Sequence, residues 1–202
     1  TNSWKDKTQE RISLNSFDIL FTNPPFGSKI PVKEETILSR YDLGYKYRKV
    51  LNGEAWEKKN QLQNQQPPQI LFVERCLDLL APGGKLAIVL PDGVLGGSKV
   101  GYIPFYIKNN AKILALIDCP KETFQPFVST KTHLVVLEKK TESEKSKDDD
   151  YEVFMAIVNN VGHDSKGNPT HKIVEGITVE NDDLPQILSK YKEYNKGNLE
   201  KS

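Results

Sequence analysis

Four short apolar segments, interrupted by helical patterns, constrain the fold of this chain more than any other feature. They are Phe17–Thr22, Leu86–Leu90, Ile113–Ile117 and Leu134–Leu137. The last three are continuously apolar and do not alternate with polar residues, which is typical of strands covered on both faces of a largely parallel sheet. Each segment is far too short to cross a membrane, so the sequence predicts no membrane association.

Two helices are predicted between these strands. Gln69–Leu80 carries Ile70, Val73 and Leu77 on one face, begins after a proline pair and stops at a Pro-Gly-Gly sequence. Tyr102–Asn110 is a shorter candidate before the third strand. Strands and helices in this alternating order favour an open α/β sheet.

The rest of the chain predicts an extension. Glu138–Asp150 is charged and lacks apolar residues, which is typical of a linker. Beyond it we predict a strand over Tyr151–Val161, a turn over Asp164–Pro169, a weaker returning strand over His171–Val179 and an amphipathic helix over Asp183–Tyr194. The domain prediction is a main unit over residues 1–140, a linker over 141–150 and a strand, hairpin and helix extension over 151–202.

Composition excludes several classes of protein. The chain has 202 residues, 37% of them hydrophobic, which is enough for one cored domain and argues against wholesale disorder. A net charge of +1 excludes a basic coat over the whole surface. Cys76 and Cys119 match no zinc or redox spacing, and His133, His163 and His171 match no metal-ligand spacing. We therefore expect no metal and a reducing, cytoplasmic location, since no signal peptide is visible.

Asn23-Pro24-Pro25-Phe26 directly follows the first predicted strand and is the sharpest chemical signal. Two consecutive prolines fix two φ angles and remove two backbone donors, so the loop presents carbonyl oxygens without N–H groups. The asparagine adds another oxygen acceptor and the phenylalanine a flat apolar face. Acceptors and a stacking plane at the carboxyl end of a strand suit a planar ligand with an exocyclic amine.

At these residues the chain resembles the adenine-N6 DNA methyltransferases that use S-adenosylmethionine, and most closely the modification subunit of type I restriction systems. FDILFTNPPFG resembles the strand and catalytic motif of that family. QILFVERCLDLLAPGGKLAIVLPDGVL resembles the helix, turn and strand that follow, and ETFQPFVSTKTHLVVLEKK the later hairpin segment. The resemblance covers most of residues 14–195 and weakens over Ser28–Gln66.

The resemblance implies a Rossmann-like methyltransferase fold, of which this chain holds the second half. Phe17–Thr22, Leu86–Leu90 and Ile113–Ile117 are then expected to be neighbouring parallel strands, joined by Leu134–Leu137 in antiparallel orientation. It also implies S-adenosylmethionine as cofactor, with only Asn23 at the edge of its site. The glycine loop of the family is absent from the residues before Asn23, so we expect the main cofactor site upstream of Thr1 and interpret the chain as an incomplete fragment.

Asn23, Pro24, Pro25 and Phe26 are the predicted catalytic residues. The Asn23 side chain and the Pro24 carbonyl would hold the adenine amino group, and Phe26 would stack on the extruded base.

Weaker signals suggest substrate contacts elsewhere. Tyr45 and Arg48 lie in a segment that interleaves tyrosines with basic residues, which favours either a phosphate contact or lid, or a solvated helix or loop. Thr130, Lys131 and Thr132 form a polar turn that is either a plain hairpin turn or, by the family resemblance, a neighbour of the target base.

Three functional classes stay open at this point. The first is methylation of adenine N6 in DNA within a restriction-modification system, with a specificity subunit and a restriction subunit as expected partners. The second is methylation of an exocyclic amine in RNA or of a protein glutamine amide, because an Asn-Pro-Pro-aromatic motif is shared with those groups. The third is a non-catalytic interaction module of a restriction complex.

Overall fold

A computed structural model describes residues 12–26, 30–50, 55–97, 99–145 and 150–199. The strands are β1 Phe17–Thr22, β2 Tyr45–Lys49, β3 Trp56–Leu62, β4 Leu80–Pro91, β5 Ala111–Cys119, β6 Thr132–Lys139, β7 Phe154–Ile157, β8 His171–Val174 and β9 Ile177–Glu180. Five of them form one sheet in the spatial order β1-β4-β6-β5-β7, and two further pairs, β2-β3 and β8-β9, form separate hairpins. The α-helices are α1 Glu35–Leu38, α2 Pro68–Leu79, α3 Asp92–Leu95, α4 Tyr102–Asn110, α5 Glu142–Lys145 and α6 Leu184–Leu199.

The pairing of the central strands confirms one part of the sequence prediction and corrects another. β1 pairs with β4 in parallel, and β5 runs in the same direction as both. However, β4 and β5 are not neighbours, because β6 lies between them and pairs with each in antiparallel orientation. The chain turns back after β5 through residues 120–131, so β6 runs antiparallel to β5, and its other edge pairs with β4.

The main core lies between one face of the sheet and helices α2 and α4. Leu86, Ile88 and Leu90 of β4 are fully buried there. Helix α2 contributes Val73, and α4 contributes Ile103, both also fully buried. The predicted helices are confirmed: α2 begins at a proline, which needs no hydrogen-bond partner at the first turn, and α4 has the predicted bounds.

Helix α6 packs on the opposite face of the sheet, on the side where β5 and β7 lie. The Phe154 ring of β7 contacts the rings of Tyr191 and Tyr194, with centroids 5.2 Å and 5.6 Å apart. Ile187 of α6 joins Ile117 in a second, smaller core cluster. β1 lies at the edge of the sheet described here, as expected, and its side chains Ile19 and Phe21 are exposed.

The C-terminal third differs from the sequence prediction in three places. The charged segment is not a plain linker: its first two residues end β6, and Glu142–Lys145 forms α5. The strand predicted over Tyr151–Val161 is confined to Phe154–Ile157, where it pairs with β5 and completes the main sheet. The single returning strand is a hairpin, β8-β9, because Glu175 and Gly176 both take positive φ angles and reverse the chain.

β2 and β3 pair in antiparallel orientation, in a region where the sequence favours either a phosphate contact or lid, or a solvated helix or loop. The Tyr47 ring of β2 stacks on the Tyr102 ring of α4 with centroids 4.9 Å apart. Trp56 packs against the same ring at 6.1 Å. Although its sequence is largely polar, the β2-β3 hairpin therefore packs against α4 through its aromatic side chains.

The part of the chain that the structure describes contains no helix with the length and apolar composition of a membrane span. Among the described residues, no group of three or more histidine, cysteine, aspartate or glutamate side chains has the arrangement needed to hold a metal ion.

Candidate active site at the carboxyl ends of the strands

The candidate site lies where β1, β4 and β5 end. These three strands run in one direction, so the residues that follow them meet at one edge of the sheet, which we call the carboxyl edge. β6 begins at the same edge, where Thr132 pairs with both Pro91 and Cys119. Four strand ends therefore converge on one small region.

The Asn23 loop, residues 23–26, follows β1 at this edge. Asn23 and Pro25 are exposed, Pro24 is buried and Phe26 is half-buried. The Phe26 ring meets the Phe124 ring edge-on, with centroids 5.5 Å apart and planes at 84°. The buried proline and this ring contact fix the loop while leaving the Asn23 side chain accessible.

A cavity of about 280 Å³ opens beside this loop. Its size is close to the lower end of the range of about 300–1,000 Å³ that is usual for ligand sites. It is lined by Phe26, Pro67, Gln69, Ile70, Pro91, Gly93, Val94, Val100 and Thr130. The structure thus brings together two residues that the sequence analysis singled out separately, Phe26 and Thr130.

Lys131, next to Thr130, is held in place by two neighbouring elements. Its carbonyl accepts a hydrogen bond of 3.0 Å from the backbone N–H of Asp92. Its ammonium lies 2.8 Å from Oδ2 of Asp118, and this bond raises the pKa of Lys131 above the ordinary lysine value. The lysine side chain is still 44% exposed, so its charge lies at the surface of the site.

His133 links the same two carboxylates. Its Nε2 lies 3.0 Å from Oδ1 of Asp92, and its Nδ1 lies 3.3 Å from Oδ1 of Asp118. Asp92, Asp118, Lys131 and His133 together form a polar network that ties the ends of β4 and β5 to the start of β6.

Thr132 and the hairpin residues lie differently from the sequence interpretation. Thr132 is fully buried in the sheet between β4 and β5, which leaves it no surface to offer a substrate. Arg48 lies on β2 with its guanidinium 2.8 Å from the Glu57 carboxylate, and the ammonium of Lys58 lies over the Tyr45 ring. Among the described residues, neither Tyr45 nor Arg48 lines the cavity beside Phe26.

The sequence analysis missed Phe124, Asp92 and Asp118, and it singled out His133 only as matching no metal-ligand spacing. None of them belongs to a local motif. Their common signal is position: each lies at, or within a few residues of, a strand end on the carboxyl edge. That signal becomes visible only when the strand order is known.

Comparison with known proteins bears on the same region. The family model of the N-6 DNA methylases matches residues 1–197, nearly the whole chain and including the Asn23 loop. The chain belongs to the N-6 DNA methylase family. Among curated proteins, the methylase subunit of the type I restriction enzyme EcoEI of Escherichia coli is 25% identical over 123 residues. That match covers 60% of this chain and 21% of the subunit, so the chain spans about a fifth of the length of this relative.

Solved structures support the same fold. The methyltransferase subunit of a type I restriction-modification system from Streptococcus thermophilus matches with a TM-score of 0.52 and 18% identity, over 92% of this chain and 33% of that chain. A Listeria monocytogenes structure assigned to the class I S-adenosylmethionine-dependent methyltransferases matches with a TM-score of 0.50 and 20% identity, over 69% of this chain and 36% of that chain. The central sheet therefore has the α/β fold of S-adenosylmethionine-dependent methyltransferases, of which this chain forms a part.

Proposed function

We propose that this chain carries the catalytic loop of an S-adenosylmethionine-dependent methyltransferase that methylates the N6 amino group of adenine in DNA. The observation that supports this most directly is the position of the Asn23 loop. It lies at the carboxyl end of β1, with Phe26 on the wall of a cavity that Thr130 also lines. Membership of the N-6 DNA methylase family favours adenine over the other exocyclic amines.

The proposed mechanism depends on orientation. The lone pair of an adenine amino group is delocalised into the ring, which makes the nitrogen a poor nucleophile. Its two N–H groups would donate to the Asn23 side-chain oxygen and to the Pro24 carbonyl, which favours a pyramidal nitrogen with an available lone pair. The Asn23 side chain is exposed and can be reached by a base, while buried Pro24 fixes the loop that carries it.

Phe26 and Phe124 would receive the base. An adenine taken out of the duplex loses its stacking, and an aromatic ring restores part of that energy, about 1–3 kcal/mol per base. Phe124 meets Phe26 edge-on, so it holds the Phe26 ring in one orientation. Thr130, on the same cavity wall, supplies a hydroxyl for a polar edge of the base.

S-adenosylmethionine, when bound, supplies the methyl group from its sulfonium. The described residues suit only that reactive end, because Asn23 and Pro24 are neutral acceptors that do not repel a positively charged sulfur. The main cofactor site predicted upstream of Thr1 lies outside the described residues. Residues 1–140 would then belong to the catalytic domain, with 141–150 linking it to the extension over 151–202.

The remaining contacts and partners follow from the same proposal. Lys131 and, on the β2-β3 hairpin, Tyr45 and Arg48 would contact the DNA backbone. Two of the similar proteins named above are subunits of type I restriction systems, so a specificity subunit and a restriction subunit are the proposed protein partners, in the cytoplasm.

Product analysis tests this proposal. The full-length protein, with its partner subunits, is incubated with duplex DNA and S-adenosylmethionine carrying an isotopically labelled methyl group, and the DNA is digested to nucleosides. We expect label in N6-methyl-2′-deoxyadenosine on mass spectrometry. In matched incubations RNA or a protein substrate replaces the duplex, and label in RNA or in a protein glutamine instead would favour the second functional class. No transfer to any acceptor would favour a non-catalytic module.

A further inference from the structure

The loop between β5 and β6 displays an aromatic ring to solvent. Phe127 is 93% exposed, more than any other large hydrophobic side chain among the described residues. A ring so exposed contributes almost nothing to the core. The whole face of this ring is therefore available to a ligand that enters the candidate site.

The loop that carries Phe127 is well ordered by its own hydrogen bonds. The backbone N–H of Val128 donates to the Phe124 carbonyl at 2.9 Å, which closes the turn that has Phe127 near its tip. The Gln125 side-chain amide donates to the Ser129 hydroxyl at 3.0 Å. A side chain placed at Gly167 would come within 3.3 Å of Pro126, so the loop also rests against the turn before β8. These contacts hold the backbone segment that carries the exposed ring.

Both ends of the loop lie at the candidate site. On one side of Phe127 is Phe124, whose ring contacts Phe26. On the other side is Thr130, which lines the cavity with Phe26. Phe127 therefore stands at the margin of the cavity that would receive the base, while its ring points out to solvent.

We propose that Phe127 is a wedge that enters the DNA base stack at the position left by the extruded adenine. This inference rests on the proposed function, because it needs a base that leaves a duplex. Apolar side chains inserted between base steps offset the loss of stacking that accompanies such distortion. A flat ring of this kind can stack on both neighbouring bases and slow the return of the target base.

On this proposal Phe26 and Phe127 contact different bases. Phe26 is half-buried and lies on the cavity wall, where it would contact the extruded base. Phe127 is exposed and would contact only the bases that stay in the duplex. Loss of Phe26 should therefore weaken the bound state of the base in every substrate, whereas loss of Phe127 should matter only where extrusion is costly.

The test uses the full-length protein and a duplex containing its methylation site, located beforehand by sequencing methylated DNA. The target adenine is replaced by 2-aminopurine, whose fluorescence rises when it leaves the stack. We expect Phe127→Ala to lower the extruded population about five- to one-hundred-fold, the factor by which one aromatic stack strengthens binding. Phe127→Trp, which keeps a flat ring, should retain the signal. Ile173→Ala removes another exposed apolar side chain, on β8, and should have no effect.

A second duplex decides between a wedge and an ordinary DNA contact. With an abasic site opposite the target, no base pair has to break, so extrusion costs less. On this duplex the extruded population with Phe127→Ala should be close to that with the wild-type protein. An equal defect on both duplexes, or no defect on either, would overturn the wedge. If the wild-type protein methylates no adenine at all, the proposed function fails first, and the product analysis reports that separately.

Discussion

Two aromatic clusters in this molecule have similar composition and opposite surroundings. In the first, Tyr47 and Trp56 of the β2-β3 hairpin pack on Tyr102 of α4, which is only 6% exposed. In the second, at the carboxyl edge, the rings of Phe26 and Phe124 meet in a T-shaped arrangement beside an open cavity. The first cluster is completed by the protein itself, whereas the second leaves ring surface for a ligand.

Hydrogen bonding shows the same difference. The Tyr102 hydroxyl accepts a bond of 3.1 Å from the Gln66 side-chain amide, so the polar atom of the first cluster has a partner inside the fold. In the second region the Asn23 side chain is exposed to solvent. Aromatic residues with internal partners indicate structure, and aromatic residues beside unfilled space and exposed acceptors indicate binding. Substitutions in the two clusters should therefore affect different properties.

The largest effect on stability is expected from Tyr102→Ala. It removes the ring on which both hairpin aromatics pack and leaves a cavity, which typically costs about 3–5 kcal/mol for a large buried aromatic side chain. Denaturant unfolding measures this loss, and Tyr102→Phe, which keeps the ring, is the matched control. A loss below about 1 kcal/mol for Tyr102→Ala would show that the hairpin is not held by this cluster.

The attachment of the hairpin should also depend on pH. The Glu74 carboxylate of α2 accepts backbone N–H bonds of 2.7 Å and 2.8 Å from Asp42 and Leu43, just before β2. Burial raises the pKa of Glu74 to about 7, against the lowering effect of these two bonds. The folded-state pKa lies above the unfolded value of 4.5, so the protonated form of the Glu74 carboxyl group stabilises the fold. Its contribution to the free energy of unfolding is complete below pH 4.5 and is lost as the pH rises through 7.

We expect that loss to amount to about 3 kcal/mol in the free energy of unfolding. Glu74→Gln, which cannot ionise, should remove most of the slope between pH 4.5 and pH 8, and the surface variant Glu57→Gln should leave it unchanged. An unaltered slope in Glu74→Gln would assign the pH dependence to other groups.

In the second cluster, Phe26→Ala should weaken DNA binding without lowering stability. The lost stacking corresponds to about 1–3 kcal/mol of base binding. The dissociation constant for site-containing duplex should therefore rise, while the midpoint of thermal unfolding changes little because Phe26 is only half-buried. Phe26→Tyr preserves the ring and should bind normally. A large drop in thermal stability for Phe26→Ala would place this residue with the structural cluster.

The smallest effects are expected from the charged residues. Lys131→Gln and Arg48→Gln should each weaken DNA binding at low salt and reduce the slope of log affinity against log salt concentration by about one. Arg48 forms an exposed ion pair with Glu57, so its removal should change stability by less than about 1 kcal/mol. An unchanged salt slope in both variants would remove these side chains from the DNA contact.

Sequence reasoning found what depends on local pattern. The α2 and α4 helices follow from regular apolar spacing and proline or glycine boundaries, and the Asn23 loop follows from two fixed φ angles after a strand. The position of β6 between β4 and β5 could not be found this way, since pairing partners are distant along the chain. The β2-β3 hairpin was missed because the residue that stabilises it, Tyr102, lies outside the segment.

The site shows the same limit. Asn23 to Phe26 form one contiguous motif, so their chemistry could be proposed without a structure. Asp92, Asp118 and His133 come from three different strands or strand ends, and only the order of strands in the sheet places the two carboxylates 3.0 Å and 3.3 Å from the His133 ring. Phe127 could be recognised only from its exposure.

The central claim is that Asn23 holds the reacting amino group and does not hold the fold. The most direct measurement is single-turnover methyl transfer by the full-length protein carrying Asn23→Ala, with thermal unfolding measured on the same sample. Loss of one preorganised acceptor typically lowers the rate about 10²–10³-fold. We predict a loss of at least that size in Asn23→Ala, with an unchanged unfolding midpoint. Near-normal transfer by this variant, or a rate loss matched by unfolding, would contradict the assignment.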